Sequence, residues 1–170
     1  LVVRMINMSI KVAYGGVLLA LNVILLTLTN IIPVNTLFIM GLASLLVSIV
    51  IMEWGFKSGI AFYIGSIVLG FIVMASKSQW IVYSLTFGIY GIVKYLIEKD
   101  RSIYIEYFMK LVFANIMILI LYFLLRTIVY IPINIFIIGS FEIAFIVYDY
   151  VYSSFIGYYN NRLRKMLFKK

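Results

Sequence analysis

The chain has 170 residues, 65% of them apolar and only 12% charged, with a formal net charge of +8. A water-soluble domain averages about 45–50% apolar and about 25% charged residues. A chain of this length has too much surface to hide such an excess, so a soluble globular fold is excluded and lipid is the expected solvent.

With neither Cys nor His, there is no basis for disulfides, thiolate or imidazole metal sites, or catalytic triads that need His or Cys. In a soluble chain the basic balance would point to nucleic acid, but no recognition motif accompanies it.

A spanning helix needs about 20 mostly apolar residues. In chain order the sequence predicts helices over 12–32, 34–52, 58–75, 79–97, 107–129 and 132–158, followed by a basic tail over 159–170. Met5 and Met8 are each a candidate start, and the stretch before Ile10 is expected to be weakly ordered. The apolar run after Lys11 continues past Leu26, too long for the core of a cleaved signal peptide. Pro33 stops the first helix, Glu53, Lys57 and Ser58 separate the second from the third, and Ser76-Lys77-Ser78 separates the third from the fourth. The most charged stretch, Glu98-Lys99-Asp100-Arg101, follows the fourth helix, and Pro132 opens the sixth. Lipid offers no partner for backbone polar groups, so only helices and closed barrels span it. Barrel strands would alternate in segments of about ten residues, and these runs are longer and continuous.

Lys and Arg give the direction. With the N-terminus in the cytoplasm, Arg4, Lys11, Lys57, Lys94, Lys99, Arg101, Lys110 and the five basic tail residues fall inside; only Lys77 and Arg126 fall outside. Such a bias marks the cytoplasmic side. The expectation is therefore an all-α membrane protein, one bundle of six transmembrane helices in the cell membrane, with both termini cytoplasmic. Trp54, Trp80, Tyr104, Tyr107, Tyr130, Tyr158 and Tyr159 stand near helix ends, as an interfacial aromatic belt requires.

Few residues in these helices carry chemistry. Asn22 lies mid-way along the first, and Glu142 about ten residues into the sixth, where an ionisable group is a functional candidate by default. Glu142 is read as a neutral structural carboxyl, a proton carrier or a ligand contact; Asp149, nearer the inner boundary, is read as solvated or lysine-paired. Arg126 sits near the outer end of the fifth helix, either snorkelling to the interface or aimed at an anionic ligand. Asn30, Asn35, Thr36, Gln79, Trp80, Tyr83, Tyr130 and Asn134 gather at the same outer level and could ring a pocket. Among them Arg126, Asn134, Asn35, Trp80, Tyr83 and Tyr130, with Glu142, are the candidate substrate contacts. No catalytic residues, metal site or cofactor is expected, because no acid, base and nucleophile combine and no acidic cluster appears. There is no P-loop either. Small residues on the first helix, Gly15, Gly16 and Ala20 above all, pack helices or dock another membrane subunit.

The stretch Lys11-Val-Ala-Tyr-Gly-Gly-Val-Leu-Leu-Ala-Leu21 resembles the small-residue-rich first helix of the substrate-binding (S) components of energy-coupling-factor vitamin transporters, and Phe87-Gly-Ile-Tyr-Gly-Ile-Val93 is similar to Gly-rich text in that family. Six short helices with both ends inside fit the same family. The resemblance implies a docking face for a transmembrane coupling subunit at Ala13, Gly16 and Ala20, although Val17 departs from the family's alanine. It also implies a vitamin-like small molecule bound near the outer face, with partner ATPase subunits supplying energy. Arg126 and Asn134 carry over by position only. The expected function is thus a substrate-capture subunit and not an enzyme. Two alternatives stay open: a structural or assembly membrane protein without substrate, and a proton-coupled carrier that uses Glu142.

Overall fold

A computed structural model of the chain describes residues 2–99, 101–126 and 134–163. Helix α1 runs Val2–Ile31, a 3-10 turn covers Pro33–Asn35, and α2 and α3 follow at Thr36–Trp54 and Phe56–Val73. The fourth span is composite: α4 (Lys77–Val82), a π-helical segment (Tyr83–Gly88) and α5 (Ile89–Ile97). Then come α6 (Ile103–Leu125) and α7 (Ile135–Tyr158), the latter continued by a second π segment at Tyr159–Leu163. Six helical stretches are long and apolar enough to cross a membrane, and no strand occurs among the described residues. The all-α, six-span expectation therefore holds. A helix stands at each predicted span, and the predicted ends that fall on described residues are met within four residues, except that helix α1 already begins at Val2, ten residues early and within the stretch expected to be weakly ordered. Residues 127–133, at the predicted end of the fifth helix and start of the sixth, and the tail from 164 lie outside the described residues.

The chain divides into two compact units, Leu1–Val93 and Lys94–Lys170. In the first, α2 is the central element. Its buried residues fall all round the helix, including Ile39, Met40, Ala43, Ser44, Val47, Ser48 and Val50, as expected of a helix apolar on every face. Helices α1 and α3 pack against it. One apolar cluster joins Leu46, Val47, Val50 and Ile51 to Phe62 and Ile92; another joins Leu26 to Met40, Ala43, Met74 and Tyr83. In lipid such clusters hold by van der Waals fit, since apolar side chains gain little by leaving one apolar medium for another.

A single residue turns the chain between α2 and α3. Gly55 has φ 85° and ψ 173°, a region open almost only to glycine. One turn later Gly59 lies so close to α2 that a Cβ there would stand 2.2 Å from Cγ1 of Ile51. At the far end of α3, Lys77 Nζ donates to the carbonyls of Phe71 and Met74 and lies 4.2 Å from the Phe71 ring centre. These are carbonyls that a helix C-terminus leaves without partners, and a cation suits the negative end of the helix dipole. Asn30 ties the end of α1 to the same turn: its Nδ2 donates to Val73 O at 2.8 Å and its Oδ1 accepts from Ala75 N at 2.9 Å.

In the second unit α6 and α7 pack together, with the last turn of α5 beside them through its charged side chains. Large apolar side chains are exposed along α6 and α7, among them Phe108, Leu119, Phe123, Phe141, Ile143 and Val147. A water-soluble monomer rarely shows so continuous an apolar surface; on a membrane-spanning helix it is the lipid-facing side.

Candidate functional site

Among the described residues, a buried cluster of three or more polar side chains stands inside the apolar spans of each unit. The first joins Asn22 of α1, Ser66 of α3 and Tyr83 at the start of the π segment, all 0% exposed. Ser66 Oγ donates to Asn22 Oδ1 at 2.7 Å, and Asn22 Nδ2 donates to the Tyr83 hydroxyl at 3.1 Å. Ser66 has one proton, already committed, so the 2.6 Å contact between Tyr83 and Ser66 has the tyrosine as donor. The three groups form a closed ring in which each donates to the next. The second Asn22 Nδ2 proton goes to the Ala43 carbonyl on α2 at 2.8 Å. Four elements thus meet at one asparagine in the middle of α1.

The π segment departs from α-helical bonding within a span, so its carbonyls need other donors. Hydroxyls supply some of them. Tyr63 donates to Ser84 O within the segment at 2.8 Å, and Ser84 Oγ and Thr86 Oγ1 donate back to Ile81 O at 3.1 Å and Val82 O at 2.6 Å, the last carbonyls of α4 before it.

The second centre is charged. Lys94 Nζ donates to Glu98 Oε1 at 2.5 Å, Asp149 Oδ1 at 2.5 Å and Ser153 Oγ at 2.8 Å, one acceptor for each ammonium proton. Lys110 Nζ donates to the same Glu98 oxygen at 2.5 Å and to Asp149 Oδ2 at 3.0 Å. The two ammonium and two carboxylate groups sum to no net charge. Lys94, Lys110 and Asp149 are buried; the Glu98 side chain keeps 34% of its surface open. Their removal from water is costly, and the short mutual contacts offset that cost.

The residues singled out in the sequence are distributed as follows. Tyr83, expected in an outward-open ring, is wholly buried in the Asn22 node. Trp80 is half-buried, donates its indole N–H to Ile67 O at 3.0 Å and meets Phe71 edge-on. Asn35 and Asn134 are exposed; Asn134 caps α7, its Oδ1 accepting from Phe136 N. Arg126 is exposed at the C-terminal end of α6, its guanidinium 5.2 Å from the Phe123 ring centre. Tyr130 lies outside the described residues. Glu142 is half-buried and accepts from Asn115 Nδ2 at 3.1 Å. Ala13, Gly16 and Ala20 are all exposed on α1, and a Cβ on Gly16 would have nothing within 4 Å.

Sequence reasoning missed two things. Ser66 carries no functional reading in the sequence, and Lys94 and Lys110 stand there only among the basic residues placed inside. A signal for the charged centre was present: Lys94 and Glu98 are spaced four apart, and Lys110 and Asp149 each lie well inside an apolar helix. Comparison of the chain with protein-family models, with curated proteins and with solved structures finds no match.

Proposed function

We propose that this chain is a membrane-embedded capture subunit of an uptake system in the cell membrane, with both termini in the cytoplasm. It takes a small, vitamin-like molecule from the outer side, and a transmembrane coupling subunit with ATPase subunits supplies the energy. The observation that carries this reading is the first helix. Ala13, Gly16 and Ala20, spaced three and four residues apart, share one exposed face of α1, while Asn22, Leu26 and Thr29 are buried. Val17 shares this face and is 67% exposed, but small residues such as Gly16 and Ala20 on either side of it let a second helix backbone approach closely in lipid. The chain's likeness to the S components of energy-coupling-factor transporters, together with the one-sided distribution of Lys and Arg, supports the same reading.

A structural or assembly role is the second reading. It is favoured by the pairing of the intramembrane polar groups: Asn22 and Glu142 both have bonded partners within their own units.

Purification from native membrane in mild detergent separates the two. The capture reading expects an ATPase and a coupling subunit to co-purify, with a small molecule detectable on denaturation. Gly16→Leu should then release the partners while leaving the melting temperature of the chain unchanged. Absence of ATPase, coupling subunit and small molecule alike would overturn it.

A further inference from the structure

We infer that Lys94, Glu98, Lys110 and Asp149 form a latch that holds together the ends of α5, α6 and α7 nearest the α5–α6 connector, and that Glu98 is its release point. The inference is independent of the capture reading. It starts from an asymmetry between the two carboxylates. Asp149 lies on α7, buried, and uses one oxygen for each lysine. Glu98 lies just past the last residue of α5 and accepts both lysines through a single oxygen. It is also the member of the quartet open to water.

Its place on the helix is unfavourable in itself. A carboxylate at a helix C-terminus faces the negative end of the dipole, whereas Lys94 in the same turn is favoured there. The two lysines therefore hold Glu98 against the field of its own helix. Lys110 sits seven residues into α6, about 10 Å from its start at 1.5 Å per residue. If Glu98 swings into water, two ammonium groups at that depth share one carboxylate. The excess buried charge is relieved by water entering, which requires the three helix ends to part. Paired and hydrated are two discrete arrangements, as a two-state element needs. Lys99, exposed, follows Glu98 directly, and Arg101 and Ser102 are exposed in the same connector, so a partner that engages the connector does so beside the latch.

The absence of cysteine makes labelling clean. Tyr104→Cys on α6 and Tyr158→Cys on α7 place spin labels at two exposed positions in the full chain, reconstituted in bilayers. The parent should give one distance. Glu98→Gln should add a second, longer distance in about a tenth or more of the molecules, at or beyond the upper limit of an ordinary minor state. Adding Lys110→Met to Glu98→Gln leaves one lysine facing one aspartate, restores neutrality and should return the single short distance. A merely structural contact predicts the opposite order, with the double variant looser than the single. A single short distance in Glu98→Gln, or a double variant looser than it, overturns the latch. Should Glu98→Gln fail to fold, Glu98→Asp keeps the charge but shortens the reach; it too should show the longer distance, and a single short distance in it overturns the latch equally.

Discussion

The ring of Asn22, Ser66 and Tyr83 makes a quantitative demand on stability. Tyr83→Phe removes one hydroxyl and two of the ring's bonds. Ser66 still donates to Asn22, and Asn22 still donates to Ala43 O, so little is left wholly unpaired. Interhelical hydrogen bonds in bilayers average about 0.6 kcal/mol each, with a maximum of about 1.7 kcal/mol; the expected loss is about 1 kcal/mol. Asn22→Ala removes its bonds to Ala43, Ser66 and Tyr83 and leaves a small void. Three such bonds plus a void of roughly methyl size or more give about 2–3 kcal/mol. The two substitutions remove a common bond, so the double variant should cost less than the sum by about 0.6 kcal/mol or more. Unfolding in bicelles, followed by tryptophan fluorescence, reads the relevant unit directly, because Trp54 and Trp80 both belong to it. Additive losses, or a Tyr83→Phe variant as stable as the parent, would refute the ring.

Two further outcomes follow from single contacts. Gly59→Ala should cost about 1–3 kcal/mol by overpacking, because its Cβ would meet the branched Cγ1 of Ile51; in an Ile51→Ala background the same change should become nearly neutral, and an equal cost in both backgrounds contradicts the close approach. Glu142→Gln keeps an oxygen for Asn115 Nδ2 to donate to, so the melting temperature should stay the same and dye-reported proton flux in proteoliposomes should not change; flux present in the parent and lost in this variant favours the proton-carrier alternative.

The spans were legible because lipid imposes a single requirement, about 20 apolar residues with internal bonding, and the chain states it six times. Asn22 and Glu142 stood out for the same reason, as polar groups in an apolar run. Their partners did not. Ser66 and Tyr83 lie 44 and 61 residues from Asn22, and pairing at such separation is set by how helices rotate against each other. The π segment makes this harder, since one extra residue in a turn shifts the following face by about 100°. Tyr83 stands at the start of that segment, which is where an assignment to an outer ring by depth alone fails to say which way the ring points. Lys94 and Lys110 were hidden by the rule that gave the topology its direction: counting basic residues by side treats each as a separate interfacial charge, whereas these two are buried together against Glu98 at the end of α5 and Asp149 on α7.

Lys77 and Arg126, the two basic residues on the side expected to face outward, have a physical reason to be there that needs no ligand. Each lies at or just beyond the C-terminal end of a spanning helix, α3 and α6 respectively, where a cation meets the negative end of the dipole. They differ in what is left over. Lys77 is engaged by two carbonyls and an aromatic face, so its ammonium is used within the fold. The Arg126 guanidinium lies exposed over one ring, and a planar group with five donors is suited to a carboxylate or phosphate beyond that contact. If a small anion is captured from the outer side, Arg126 is therefore the better candidate of the two to meet it. Lys77→Met should act on the α3 terminus and hence on stability, while Arg126→Met should act on capture.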